Sequence, residues 1–130
     1  MSDPEYKNIH KSIATFVEGL RTLDYSKISK IFYQDGLSIG VRNGQISYVR
    51  REHWREMRDR ELAEGIDNTD NVAWFEIKSL ERFGNAASVV IELSFTSDLV
   101  DYIDLYHMLK TDDGWKIVNK IYHHIEKKKR

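Results

Sequence analysis

The apolar residues near the start of the chain recur at the spacing of an α-helix. They predict one apolar stripe, formed by Ile9, Ile13, Phe16, Val17 and Leu20. Asp3 and Pro4 come just before the stripe, and these residue types favour the N-cap and the first helical position. The sequence therefore predicts a first helix that begins at Asp3-Pro4.

Two further helices are predicted, with a β-hairpin between them. In "DYSKISKIF", Asp24 is the predicted cap and "QDG" ends the helix, whose inward residues are Ile28, Ile31 and Phe32. Asn43-Gly44 predicts a tight turn between two short strands, because both residues tolerate positive φ. The charged segment "REHWREMRDRELAEG" predicts a third helix that stops at Gly65, with a thin apolar stripe from Trp54, Met57 and Leu62.

The second half of the chain has the pattern of four long strands. "NVAWFEIKSLERF" and "AASVVIELSF" predict a pair that turns at Gly84-Asn85. The last pair, "DYIDLYHML" and "KIVNKIYHHI", carries apolar residues on both faces, whereas a sheet with one wet face alternates more cleanly. We therefore expect a second subunit to cover part of the outer face, giving a homodimer packed through its sheets.

This order of elements predicts one α+β domain over residues 1–130. Its three N-terminal helices are expected to pack on one face of a curved, mostly antiparallel sheet of about six strands. A chain of 130 residues is long enough for a core without covalent staples. The basic tail at residues 127–130 is expected to fray.

Composition and charge exclude several classes of function. The chain has no cysteine, so it can hold no disulfide, zinc–thiolate site or thiol nucleophile. Residues 1–126 carry 16 basic and 21 acidic residues, a net charge of −5, which predicts no general attraction to nucleic acid. No segment is apolar enough to span a membrane or serve as a signal core, and the cytoplasm is the expected location.

Motifs for metals and phosphates are also missing from the sequence. No spacing of histidines and carboxylates indicates a metal site, and the neighbours His123 and His124 point to opposite faces of a strand. No glycine-rich phosphate loop is present. We expect neither a metal nor a cofactor.

The final hairpin has two possible registers. With Thr111–Gly114 as the loop, Lys110 pairs with Trp115 and one face holds Tyr102, Asp104, Tyr106, Asn119 and His123 beside Met108, Ile117 and Ile121. With a loop one residue shorter, Thr111 pairs with Trp115, and Asp104 and His123 lie on opposite faces. Hydrophobicity favours the second register.

Two segments resemble the nuclear transport factor 2-like superfamily: "FVEGLRTLDYSKISKIFYQDG" near the start and "YIDLYHMLKTDDGWKIVNKIYH" near the end. This superfamily of cone-shaped α+β barrels includes ketosteroid isomerase, scytalone dehydratase and the SnoaL-like polyketide cyclases. Within it, the chain is most similar to the small proteins named "putative lumazine-binding". The resemblance covers about the whole chain and implies a cone-shaped fold, while its motifs are structural and imply little about activity.

Ketosteroid isomerase uses a tyrosine donor, a carboxylate base and a carboxylic acid donor, and the resemblance assigns each of these to one position of this chain. Its tyrosine falls at Phe16 and its base at Gly40, neither of which has the required chemistry, whereas its carboxylic acid donor falls at Asp104. Steroid-type isomerisation is therefore not expected. Because the relative's matching strand positions line its pocket, the resemblance favours the first register, which we adopt as the prediction.

The predicted function is binding of a small organic molecule between the helices and the concave face of the sheet. The expected lining is Tyr33, Trp54, Trp74, Tyr102, Tyr106 and Asn119, together with Asp104 and His123. One alternative is a cofactor-independent isomerase, dehydratase or cyclase, with Asp104 as donor or oxyanion stabiliser and His123 as base. Another is a non-catalytic dimerisation or scaffold domain whose cone is filled by its own side chains.

Overall fold

The computed structural model describes residues 3–127, which form three helices and six strands. The helices are α1 (Tyr6–Thr22), α2 (Tyr25–Ile31) and α3 (Glu52–Ala63). The strands are β1 (Phe32–Arg42), β2 (Gln45–Arg50), β3 (Ala73–Phe83), β4 (Ala86–Phe95), β5 (Val100–Thr111) and β6 (Gly114–Glu126). This order confirms the predicted α+β layout.

The six strands form one curved sheet in the order β2-β1-β6-β5-β4-β3. Neighbouring strands are antiparallel except β1 and β6, which run parallel. β2 and β3 are the edges, so the sheet is open and not a closed barrel. The helices pack on its concave face, which confirms the predicted cone-shaped arrangement.

The predicted apolar stripe of α1 forms the centre of the core. Ile9, Ile13 and Phe16 are fully buried and belong to the same core cluster as Val89 and Ile91 of β4. Burial of each such side chain stabilises the fold by about 1.5–3 kcal/mol. The core therefore ties the first helix to the sheet.

The predicted start of α1 at Asp3-Pro4 is two residues too early. Glu5 is the N-cap and the helix begins at Tyr6, while Pro4 lies in the turn before it. The Asp3 carboxylate accepts a hydrogen bond from the Glu5 backbone N–H at 2.8 Å and pairs with Arg82 at 2.8 Å. Asp3 therefore stabilises the turn that precedes the helix.

The predicted cap of α2 is confirmed, but its predicted end is wrong. The Asp24 side chain accepts from the Ser26 backbone N–H at 3.1 Å. The helix stops at Ile31, and "QDG" lies inside β1. The Arg51 guanidinium donates to the carbonyls of Ser29 and Phe32 at 3.3 and 3.1 Å, which satisfies acceptors at this helix end.

The third helix follows its predicted bounds but presents a different stripe. Trp54 is buried and Met57 is half-buried, whereas Leu62 is 59% exposed. Glu61, and not Leu62, continues the line of Trp54 and Met57 towards the sheet. The apolar contact of α3 is therefore limited to its first half.

The tight turn predicted between the first two strands is confirmed. Asn43 and Gly44 take φ values of 51° and 78°, as this turn between β1 and β2 requires.

Only the first residue of the basic tail at 127–130 belongs to the described part of the chain. Lys127 donates a hydrogen bond from its Nζ to the Phe95 carbonyl at 2.5 Å. The prediction of a frayed tail otherwise falls outside the described residues.

Candidate functional site

A cavity of about 340 Å³ lies between α1, α3 and the concave face of the sheet. Its apolar wall includes Trp54 and Met57 of α3 and Leu93 of β4. The last two strands contribute Tyr102, Asp104, Lys120, Tyr122 and His124 to its polar wall, and further polar lining comes from other elements, including Arg21, Arg42, Glu61, Asn68 and Asn71. Apolar walls with a few converging polar groups are typical of small-molecule sites.

Asp104 is the fully buried carboxylate of this wall, with no exposed surface. Its Oδ2 accepts a hydrogen bond from the Tyr106 hydroxyl at 3.0 Å and lies 3.5 Å from Lys120 Nζ. Among the described residues, its Oδ1 has no hydrogen-bond partner. Burial raises the pKa of the Tyr106 phenol, and the neighbouring Asp104 charge raises it further, so Tyr106 remains a neutral donor.

Lys120 brings a positive charge into the same wall and is only 7% exposed. Its Nζ lies 5.6 Å from the ring centres of Phe16 and Trp54 and 5.8 Å from that of Tyr122. These rings stabilise the ammonium group by cation–π attraction, while Asp104 balances its charge. Part of the cavity wall is therefore a buried ion pair surrounded by aromatic rings.

A β-bulge at Val118 places Lys120 inside the cavity. Before the bulge, Met108 pairs with Ile117, and after it His107 pairs with Asn119. The extra residue reverses the face to which each later residue of β6 points. Lys120, Tyr122 and His124 consequently face the cavity.

Tyr102, Asp98 and His124 form the polar part of the wall nearer the end of β6. The Tyr102 hydroxyl donates to Asp98 Oδ2 at 2.8 Å, and the His124 ring meets the Tyr102 ring edge-on at 4.9 Å between centres. Burial raises the pKa of Tyr102, and the hydrogen bond to Asp98 adds to this effect. Tyr102 therefore acts as a neutral hydrogen-bonding wall residue.

The position of Tyr122 depends on Gly40. A Cβ atom at residue 40 would collide with the Tyr122 ring, so the glycine makes room for that ring. Gly40 is also the position at which the resemblance places the base of ketosteroid isomerase. In this chain an aromatic ring from β6 occupies the space over that position.

The predicted register of the final hairpin is correct beside its loop and wrong beyond the bulge. Lys110 pairs with Trp115 as predicted, but Ile103 pairs with His123 and His107 with Asn119. The alternative register therefore holds from Asn119 onward. Asn119 and His123 lie on the outer face, and Asp104 and His123 do not converge.

The other predicted lining residues divide into those at the cavity and those away from it. Trp54 and Tyr102 line the cavity, and Tyr106 is buried behind Asp104. Tyr33 is 51% exposed and Trp74 is 50% exposed, and neither lines the cavity. Trp74 pairs with Ser94 on the outer face of the sheet because its neighbours Ala73 and Phe75 take the inward positions.

Among the cavity residues that sequence reasoning missed are His53, Lys120, Tyr122 and His124. His53 lies in the first turn of α3 and His124 near the end of β6, and both line the cavity. The last three follow the bulge, which no residue type in "KIVNK" marks. For Lys120, the available signal was its position in the sequence between the apolar residues Val118 and Ile121.

Among residues 3–127, no helix is both long and apolar enough to cross a membrane. Within the same range, no three histidine or carboxylate side chains are grouped as a metal site.

Sequence comparison places the chain in a family. A sequence profile of the family described as "Putative lumazine-binding" matches residues 4–123. The chain belongs to this family. Among curated proteins, no similar sequence is found.

Solved structures of similar fold support this placement at the level of architecture. An NTF-2 like protein of unknown function from Silicibacter pomeroyi has a TM-score of 0.79 and 19% identity, over 96% of this chain and 100% of that chain. A domain of unknown function with a cystatin-like fold from Nostoc punctiforme has a TM-score of 0.69 and 10% identity, over 98% and 81%. A ketosteroid isomerase-like protein from Erwinia carotovora atroseptica has a TM-score of 0.65 and 13% identity, over 97% and 100%. At these identities the similarity establishes the nuclear transport factor 2-like fold.

Proposed function

We propose that this protein binds a small organic molecule in the cavity between α1, α3 and the concave face of the sheet. The observation that carries the proposal is the buried pair of Asp104 and Lys120 at the cavity wall. Removing two charges from water costs several kcal/mol per ion, and apolar residues of similar volume would stabilise a core equally well. A buried pair beside an open cavity is therefore better explained by a ligand than by folding.

The dimensions and lining of the cavity also suit such a ligand. Its volume of about 340 Å³ falls within the range of small-molecule pockets, roughly 300–1,000 Å³. This space also argues against a cone filled by its own side chains. The family description names lumazine, so that compound belongs among the first ligands to test.

A thermal-shift screen of aromatic and carbonyl compounds, followed by calorimetry of each hit, tests this proposal. Ser47 of β2 lines the cavity opposite Gly40, so Ser47→Trp should fill it and abolish binding. Tyr48 is the next residue on the same strand and is 61% exposed, which makes Tyr48→Trp the matched control. The proposal fails if no compound binds, or if a hit binds Ser47→Trp as well as it binds the unmodified protein.

We also propose that a second copy of the chain covers the outer face of the sheet. Leu105 and Ile121 pair there across β5 and β6 and are 41% and 47% exposed. Leu109 and Ile125 extend the same apolar surface along these strands. Contiguous apolar surface of this kind supports a protein–protein contact.

A further inference from the structure

The unpartnered oxygen of Asp104 restricts the chemistry of a ligand in this cavity. An ionised carboxylate can only accept hydrogen bonds, and buried polar atoms nearly always have a partner. Tyr106 donates to Oδ2, which leaves Oδ1 without a donor among the described residues. A ligand at this position should therefore bring an N–H or O–H group to Asp104 Oδ1.

Lys120 supplies the opposite hydrogen-bonding capacity next to it. Its ammonium group has three N–H donors. The 3.5 Å separation from Asp104 Oδ2 is longer than an ordinary hydrogen bond, and the nearby rings of Phe16, Trp54 and Tyr122 offer only their π faces. The Nζ can therefore donate to an acceptor on the ligand, beside the donor that Asp104 Oδ1 requires.

The charges of this pair favour a neutral edge on the ligand. Asp104 and Lys120 balance each other at 3.5 Å, so a charged group placed directly against them would lie uncompensated beside a buried pair. The other charged residues of the lining, Arg21, Arg42, Glu61 and Asp98, face other parts of the ligand. The rings of Trp54, Tyr102 and Tyr122 line the cavity and favour a flat partner.

We infer that the ligand is a flat ring compound that presents a neutral lactam edge to these two residues. Its N–H donates to Asp104 Oδ1, and its adjacent carbonyl accepts from Lys120 Nζ. This inference rests on the proposed binding function and specifies the edge by which the ligand is recognised.

Three related compounds test the inference on the unmodified protein by calorimetry. 2-Quinolone has the lactam edge, 1-methyl-2-quinolone lacks its N–H, and 4-methyl-2-quinolone carries the methyl group away from that edge. The loss of a hydrogen bond to a charged group should weaken binding of the 1-methyl compound about ten- to a hundred-fold relative to the 4-methyl compound. Equal affinities for the two methylated compounds, or no binding by 2-quinolone, would overturn the inference.

Two variants then locate the recognised edge. Asp104→Leu should remove the preference for the 4-methyl compound over the 1-methyl compound. Tyr106→Phe leaves Asp104 Oδ1 in place and should retain that preference. The lactam inference can fail while another compound from the screen still binds to the unmodified protein. If Ser47→Trp abolishes binding of that compound, the proposed binding function remains supported. The two proposals can therefore fail separately.

Discussion

At the level of single residues, Lys120 illustrates why the chemistry of the site was only partly predictable. Asp104 and Tyr102 were identified because the resemblance placed their side of the strand inward, although hydrophobicity favoured the other register. Lys120 was not identified, because lysines in strands usually lie on an exposed face. Its burial depends on the bulge two residues earlier. The residue types indicated a pocket, but not that Lys120 lines it.

The pair of Asp104 and Lys120 leads to a prediction on stability. Lys120→Met leaves the Asp104 carboxylate buried without its cation, which should lower the free energy of unfolding by about 3–5 kcal/mol. Adding Asp104→Asn in the same chain removes the unpaired charge, so the double variant should be more stable than Lys120→Met alone. Urea unfolding of both single variants and the double variant measures this coupling.

The matched control for this cycle is Lys78→Met. Lys78 is 47% exposed in its side chain and forms only long contacts, at 3.7 Å, with Glu76 and Glu92. Its replacement should change the free energy of unfolding by less than about 1 kcal/mol. A Lys120→Met effect no larger than that of Lys78→Met would contradict a coupled buried pair.

At the level of elements, the helices and strands were predictable and the junctions between them were less so. Helical spacing identified α1, and regular alternation identified β4. The bulge at Val118 was not predicted, because only two continuous registers were considered for the final hairpin. The bulge joins them, so that the first register holds beside the loop and the second holds from Asn119 onward. Asn119 and His123 were misplaced for this reason, although the turn itself was correct.

The contact between the start of α1 and the final hairpin leads to a prediction about how the stability of the fold depends on pH. Glu5 accepts hydrogen bonds from Lys110 Nζ at 2.6 Å and from Trp115 Nε1 at 2.7 Å. These bonds, that from Lys110 first, lower the pKa of Glu5 to about 2 from its ordinary value of 4.5. Since the folded-state pKa is lowered, the stabilisation is complete above about pH 4.5 and is lost as the pH falls towards about 2.

Glu5→Gln should therefore be less stable than the unmodified protein at pH 6, with a gap that narrows as the pH falls from about 5 to 2. Urea midpoints measured across this range would show the convergence. Glu64→Gln is the control, because Glu64 is exposed at the end of α3 and its replacement should give no such pH-dependent gap. A gap for Glu5→Gln that stays constant with pH would show that the carboxylate does not contribute through its charge.

At the level of the whole molecule, the two faces of the sheet differ in how they are covered. The concave face holds the helices and the cavity, and the outer face carries Leu105 and Ile121 in partly exposed positions. His107, Asn119 and His123 lie on that outer face and would be part of the interface in a dimer. The apolar residues on both faces of the last two strands, which first suggested a second subunit, are consistent with this division.

The prediction at this scale is that the protein is a homodimer and that charge on the outer face dissociates it. Ile121→Glu places a carboxylate in the centre of the proposed interface, where its burial without a partner would be costly. Sedimentation of the unmodified protein should give twice the mass of the 15.4 kDa chain, and Ile121→Glu should give the mass of one chain. Leu62→Glu is the matched control, since Leu62 is 59% exposed on α3 and its replacement should leave the dimer intact. A monomeric mass for the unmodified protein at all concentrations, or dissociation by Leu62→Glu and not by Ile121→Glu, would show that this face does not form a dimer.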